Sequence, residues 1–191
     1  VVDSRDLILL CLNDEDATIR IRALEILSGM VTKKSFDGLM SLLMRHAKTA
    51  QDSVYRDEVI RKMLEIGRLD DFSAVSNFSS YLDMLRVISC FRALRCGKEV
   101  ADKIVEITLS HRHARTFAVE MALNQLLGNF LDGSSQGSNS TELLRAYAFV
   151  VGEYAEIVMK IVYDTPHLDK GLNVGSTSSD SDTVSDDDND D

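Results

Sequence analysis

The stretch Asp14-Glu-Asp-Ala-Thr-Ile-Arg-Ile-Arg-Ala-Leu-Glu-Ile-Leu-Ser-Gly-Met-Val31 decides the fold class. Its acidic opening suits the exposed N–H groups and positive dipole end of a helix. Ile19, Ala23, Ile26, Leu27 and Met30 then recur at helical spacing, with Leu24 and Val31 widening the face. Asp16 stands four residues before Arg20, the favourable order for a helical charge pair. Arg20 is therefore expected to be structural, with loop carbonyls or acids as further partners. The result is a short amphipathic helix, and a series of such helices implies a stack.

The series continues along the chain. Ser35 is placed to cap a helix carrying Phe36, Leu39, Met40, Leu43 and Met44. Asp52 or Ser53 starts another through Tyr55, Val59, Met63 and Ile66, with Gly67 placed to end it. Asn77 opens a fourth through Phe78, Tyr81, Leu85 and Ile88; a fifth runs from about Lys98 and a sixth from about His113. Finally Leu144, Ala148, Val151, Ala155, Val158 and Val162 form one stripe. Leu143, Tyr147, Val150, Tyr154, Ile157 and Ile161 form a second beside it. A helix apolar on two adjacent lines is expected to be sandwiched between neighbours.

No run sustains strand alternation, so the ordered part reads as all-α. Alternate helix starts, Asp14, Asp52, Gly97 and Ser140, lie 38, 45 and 43 residues apart. HEAT and armadillo units repeat at roughly 40–47 residues. No residue motif is evident from unit to unit, and an irregular helical bundle is the rival architecture. The expected fold is an α-solenoid of HEAT/armadillo-like antiparallel helix pairs, a right-handed superhelix over residues 1–163. Residues 132–140 would form a flexible loop within it, and 164–191 a disordered Ser/Asp-rich hinge or tail.

Composition limits the function. Proline occurs once, at Pro166, beyond the last helical pattern. Cys11, Cys90 and Cys96 are odd in number and lack framework spacing, as expected of reduced thiols in a cytosolic protein. Cys90 and Cys96 read as small core or half-buried residues. There is no signal-peptide pattern and no apolar run of membrane-spanning length. The chain lacks an initiator methionine and begins inside an expected helix, Arg5 to Leu12, so it looks like part of a longer protein. The net charge of −10 is concentrated at one end, where Ser176 to Asp191 holds seven aspartates and no basic residue. The remainder carries 24 acids against 21 Lys and Arg, which argues against nucleic acid as a partner.

Few residues suggest chemistry. His111 and His113 would point to different faces if helical, and nothing completes a set of metal ligands around them. There is no phosphate-binding glycine loop and no nucleophile motif. Tyr55-Arg-Asp-Glu58 resembles a functional box, yet Asp57 precedes Arg61 by four and Glu58 precedes Lys62 by four, so helix pairs account for it. Lys33-Lys34 and Arg92 to Lys98 read as solvated helix ends. No catalytic, cofactor-binding or metal residue is assigned. Ser179, Thr183 and Ser185 each have an aspartate three residues on, which suits an acidophilic kinase.

Four segments together resemble one family, the large adaptin subunits of vesicle-coat adaptors, most like the delta type of adaptor protein complex 3. They are Ile19-Arg-Ile-Arg-Ala-Leu24 with Leu27-Ser-Gly-Met-Val31, Tyr55-Arg-Asp-Glu58 with Lys62 and Ile66, Asn77-Phe78 with Tyr81 and Leu85, and Ala148 with Gly152-Glu-Tyr-Ala-Glu156. Their order is similar to the middle-to-late trunk of such a subunit. Ser80 and Phe149 stand where members often carry tryptophan.

The resemblance implies a non-catalytic scaffold in a heterotetramer with beta-type, medium and small adaptor subunits. Such an assembly acts in the cytoplasm, peripherally on Golgi and endosomal membranes. An Arf-type GTPase and an anionic membrane surface recruit it, and it carries cargo with sorting signals towards lysosomes or vacuoles. The resemblance implies no cofactor and places no cargo-binding residue on this segment. Two alternatives are another HEAT-repeat scaffold, such as a coatomer large subunit or nuclear transport receptor, and an accessory domain of an enzyme.

Overall fold

The computed structural model describes residues 4–91, 94–131 and 141–164. The helices there are α1 (Ser4–Cys11), α2 (Ala17–Gly29), α3 (Phe36–Thr49), α4 (Ser53–Phe72), α5 (Phe78–Ser89), α6 (Gly97–Ser110), α7 (Arg115–Leu131), α8 (Thr141–Glu153) and α9 (Ala155–Asp164), with a 3₁₀ turn at Arg112–Ala114. No strand occurs among the described residues. The loop 132–140, the stretch from 165 and Ser179, Thr183 and Ser185 lie outside them.

Local rules explain where helices start. Asp16 accepts the Thr18 N–H at 2.7 Å, Asp52 the Val54 N–H at 2.9 Å, and Asn77 the N–H groups of Ser79 and Ser80 at 3.0 and 3.2 Å. Each side chain thereby satisfies donors with no partner inside the helix. Ser35 behaves otherwise. It bonds reciprocally with Thr32, accepting the Thr32 N–H at 3.0 Å while its own N–H reaches the Thr32 hydroxyl at 3.3 Å. Ser35 therefore stands at the N-cap position of α3 without capping it through its side chain, which is tied back to Thr32 instead.

The helices stack in a row. α2, α4, α6 and α8 touch in succession and make one layer; α5, α7 and α9 continue another; the pairs α1–α2, α3–α4, α5–α6 and α7–α8 bridge the two. Substantial contacts reach no further than the next helix but one. That is the nearest-neighbour pattern of a solenoid rather than the closed centre of a bundle. One apolar seam threads the stack from Leu12 through Leu43, Ile60, Leu82 and Ile104 to Val150.

Two helix ends differ from expectation. Gly67 does not stop α4; it is buried, and a Cβ there would lie 2.0 Å from the Tyr81 hydroxyl oxygen. The glycine admits α5 to close approach. Helical geometry fails instead at Leu69, and Asp70, Asp71 and Phe72 take φ of 46°, 55° and 62°. A left-handed phenylalanine is unusual. Here the turn drives Phe72 into the core at 2% exposure, against Phe78 and His111.

The double stripe after Ser140 is not one helix. The chain breaks at Tyr154 between α8 and α9. α8 is sandwiched, burying Leu143, Ala146, Tyr147 and Val150 between α6 and α7. α9 packs on α7 and α8 and buries no residue fully. Periodicity cannot register such a break, because the stripes stay in phase across it.

Candidate interaction surfaces

Arginines lock successive helices together. Arg20 donates from Nη1 to the carbonyl oxygens of Asp14 and Glu15, at 2.7 and 2.9 Å, and its guanidinium lies 4.5 Å from the centre of the Tyr55 ring on α4. Arg115 repeats the device. It donates to the carbonyls of Thr108 and Leu109, at 3.1 and 2.8 Å, and lies 5.1 Å from the centre of the Tyr154 ring. Tyr154 donates to the same Thr108 carbonyl at 3.4 Å. Arg56 lies over Phe91 at 5.9 Å. Arg20 is thus structural as expected, but not through Asp16. The Asp16 carboxyl is held below its ordinary value first by the Thr18 N–H, with Arg20 only a minor contributor.

A repeated motif exists after all. Asp16-x-x-x-Arg20 at the start of α2 recurs as Asp52-x-x-x-Arg56 at the start of α4, a cap followed one turn later by an arginine that meets an aromatic ring. Two copies amid many other charged pairs are a faint signal in a single sequence. Their common role is visible only once the rings are in place.

The Tyr55 to Glu58 box is rearranged. Asp57 is 1% exposed and neither carboxylate oxygen has a hydrogen-bond partner among the described residues. Arg61 reaches Glu58 at 3.5 Å and crosses to Glu99 on α6 at 3.7 Å, and Lys62 takes Glu65 at 2.7 Å. Asp57 faces inward, so the pairing read from spacing does not form. Burial pushes the neighbouring Cys96 thiol up to about 11, and Asp57 reinforces the shift. Such a thiol stays protonated and unreactive at neutral pH. Cys90 is exposed rather than half-buried; Cys11 is half-buried; all three cysteines are free.

His111 and His113 do not diverge. The 3₁₀ turn brings their rings to 5.9 Å, and both pack on Phe78, His111 stacked at 4.1 Å and His113 edge-on at 5.1 Å. The cluster is aromatic packing. Among the described residues no group of three or more His, Cys, Asp and Glu is placed to hold a metal ion. Lys33, Lys34, Arg95 and Lys98 are exposed. No described helix is long and apolar enough to cross a membrane.

Two surface hollows stand out. One, of about 300 Å³, lies where the α1–α2 and α3–α4 loops meet and is lined by Asn13, Arg20, His46, Gln51, Asp52 and Tyr55 among others. Burial holds the His46 imidazole below its ordinary value, helped by Arg45, and burial raises the Tyr55 hydroxyl against the opposing pull of Arg20. The other, of about 280 Å³, is a groove between α3 and α5 walled by Met40, Met44, Met84 and Val87. The first is a polar interloop gap; the second mixes the methionines with Asp37, Ser41, Lys48, Ser80 and Asp83. Neither gathers a nucleophile, a base and an oxyanion donor.

The model of the adaptin N terminal region matches residues 1–173. The AP-3 complex subunit delta-1 of Bos taurus is 33% identical over 154 residues, covering 80% of this chain and 13% of that protein. The AP-3 complex subunit delta of Dictyostelium discoideum is 28% identical over 158 residues, covering 83% and 14%. The AP-2 complex subunit alpha-2 of the same organism is 25% identical over 154 residues, covering 81% and 14%. The chain thus spans only a small part of the length of these relatives. With a family match across nearly all its helices and the stacked architecture that family shares, the chain belongs to the adaptin family.

Proposed function

We propose that the chain is a segment of a non-catalytic scaffold subunit in a heterotetrameric vesicle-coat adaptor, of the adaptor protein complex 3 delta type. The observation that carries this reading is the 33% identity to a delta subunit across 80% of the chain. The stack supports it, because nearest-neighbour helices hold distant surfaces at fixed separation and need no active site. The partners would be beta-type, medium and small subunits. An Arf-type GTPase and anionic lipid would recruit the complex to Golgi and endosomal membranes from the cytoplasm, and sorting signals would bring cargo bound for lysosome or vacuole.

Affinity purification of the tagged full-length protein from its own cells tests the proposal. Co-purification with adaptor protein complex 3 beta, medium and small subunits is expected. A second reading, an alpha-type subunit of adaptor protein complex 2, rests on the 25% identity to that subunit, and its partners in the eluate would replace the first. Coatomer partners, or nuclear cycling with Ran dependence, would overturn both.

The acidic tail extends the proposal to regulation. Phosphates on Ser179, Thr183 and Ser185 would each add about −1.5 to −2 charge and repel the tail from anionic membrane. Liposome binding of the intact complex should fall after treatment with an acidophilic kinase. Equal or tighter binding would leave the tail as an inert solubilising segment.

A further inference from the structure

Backbone strain and unpartnered polar groups gather at one junction of the stack, where α1–α4 meet α5–α9. α4 touches α6 less extensively than α2 touches α4 or α6 touches α8, and α3 and α5 make no substantial contact. The chain crosses between these two blocks through Asp70, Asp71 and Phe72, with φ of 46°, 55° and 62°. Residues other than glycine visit that left-handed region singly rather than in runs, and strain of this kind collects at switch regions. Asp70 and Asp71 are exposed, so no burial of their side chains compensates.

The junction is pinned at one end and loose at the other. Where α3 and α5 begin, the Phe36 and Tyr81 rings meet edge-on at 5.8 Å, the Ser76 hydroxyl donates to the Asp37 carboxylate at 2.7 Å, and Phe72 packs on Phe78 at 6.1 Å. Where α3 and α5 finish, Asp57 in the second turn of α4 lies beside Cys96 at the start of α6. There its buried carboxylate has no hydrogen-bond partner among the described residues. A buried polar group left unpaired favours any arrangement that lets water reach it. The ion pairs crossing from α4 to α6, Arg61 with Glu99 at 3.7 Å and Arg68 with Glu106 at 3.3 Å, join side chains open to solvent that can follow a small shift.

We propose that this junction is a hinge. The blocks α1–α4 and α5–α9 turn about the pinned ends of α3 and α5, and the far ends separate until water reaches Asp57. The α4–α5 connection absorbs the swing by relaxing out of the left-handed region, as hinges do through a few residues at element ends. The apolar seam through Ile60, Leu82 and Ile104 opposes the motion and keeps the blocks joined. Lost apolar contact is set against hydration of a carboxylate and release of strain, so two arrangements coexist. The hinge sets the curvature of the stack and with it the spacing of surfaces at its two ends. It belongs to the stack itself, whichever adaptor the chain serves.

The test measures distances in the 191-residue chain by pulsed electron resonance. Spin labels are carried on p-acetylphenylalanine, so the native cysteines stay in place. One pair, at Ser41 on α3 and Glu120 on α7, spans the junction; the other, at Asp83 on α5 and Lys160 on α9, lies within one block, and all these positions are exposed. The junction pair should give two distance populations and the other pair one. Asp57→Leu, which removes the unpartnered carboxylate, should cut the second population about tenfold. Asp70→Gly combined with Asp71→Gly, exposed changes that ease the left-handed turn, should do the same by about tenfold. A single narrow population for the junction pair overturns the proposal. So do two populations in both pairs, or a second population that neither variant reduces, which would arise from one helix fraying.

Discussion

Arg20 shows how much one side chain gains from its neighbours. As an exposed pair with Asp16 it would contribute little. Two hydrogen bonds from a charged donor and a ring beneath the guanidinium contribute about 1–3 kcal/mol instead. Arg20→Ala should lower stability by that amount in urea denaturation, and Arg20→Lys should recover less than half, since an ammonium lacks the planar fork. Gly67→Ala should destabilise by about 1–3 kcal/mol despite alanine's better helix propensity, because the Tyr81 ring is 2% exposed and packed on Phe36. Denaturation midpoints of the three variants check these shifts directly. His46 contributes a pH dependence. Its folded pKa lies below the ordinary 6.5, so the unfolded chain binds the proton more readily. Stability is full above about 6.5 and declines as pH falls through the lowered folded value. Melting temperatures from pH 7.5 to 5 should show that decline, and His46→Gln should flatten part of it.

Helices are tied at their ends as well as through their faces. Arg115 holds the C-terminal carbonyls of α6 and covers the Tyr154 ring at the α8–α9 break, while Tyr147 on α8 donates to Ser89 on α5 at 3.0 Å. Ser89 in turn donates to the Arg86 carbonyl at 2.6 Å, so the buried hydroxyls form a satisfied chain. α9 has no fully buried side chain and is held by half-buried residues such as Ile157 and Ile161 together with the tie at Tyr154. Arg115→Ala should therefore raise amide exchange across α9 at least tenfold, corresponding to the roughly 1.4 kcal/mol or more lost with the arginine's bonds, while α2 and α4 keep their protection. A uniform rise would show that α9 is held by the stack as a whole.

At the scale of the whole molecule, the row of helices predicts that damage stays local. Val150 is fully buried on α8, far along the stack from α2 and α3. Val150→Ala removes two methyl groups from the core, at about 1–3 kcal/mol. Exchange should quicken in α6, α7 and α8, with α1 to α3 close to the parent, since each element is stabilised by its neighbours. Equal loss of protection throughout would indicate one cooperative core.

Much of this was legible in the sequence because it depends on short-range rules. Asp16, Asp52 and Asn77 announce helix starts through capping chemistry confined to three residues. Apolar spacing gives helices and their buried faces because a helix repeats every 3.6 residues wherever it sits. The family resemblance also rests on local segments. Other features needed the chain to be folded. Gly67 reads as a stop until Tyr81, fourteen positions on in sequence, is seen against it; Asp57 reads as a surface acid until α6 covers its side of α4. The groove between α3 and α5, and the rings under Arg20 and Arg115, exist only where separate helices meet. Sequence by itself determined the helices and the all-α class, through interactions within a turn or two. Tertiary structure decided which polar groups are buried, which arginines act as ties and where the stack is left open, because those depend on contacts between helices that periodicity does not encode.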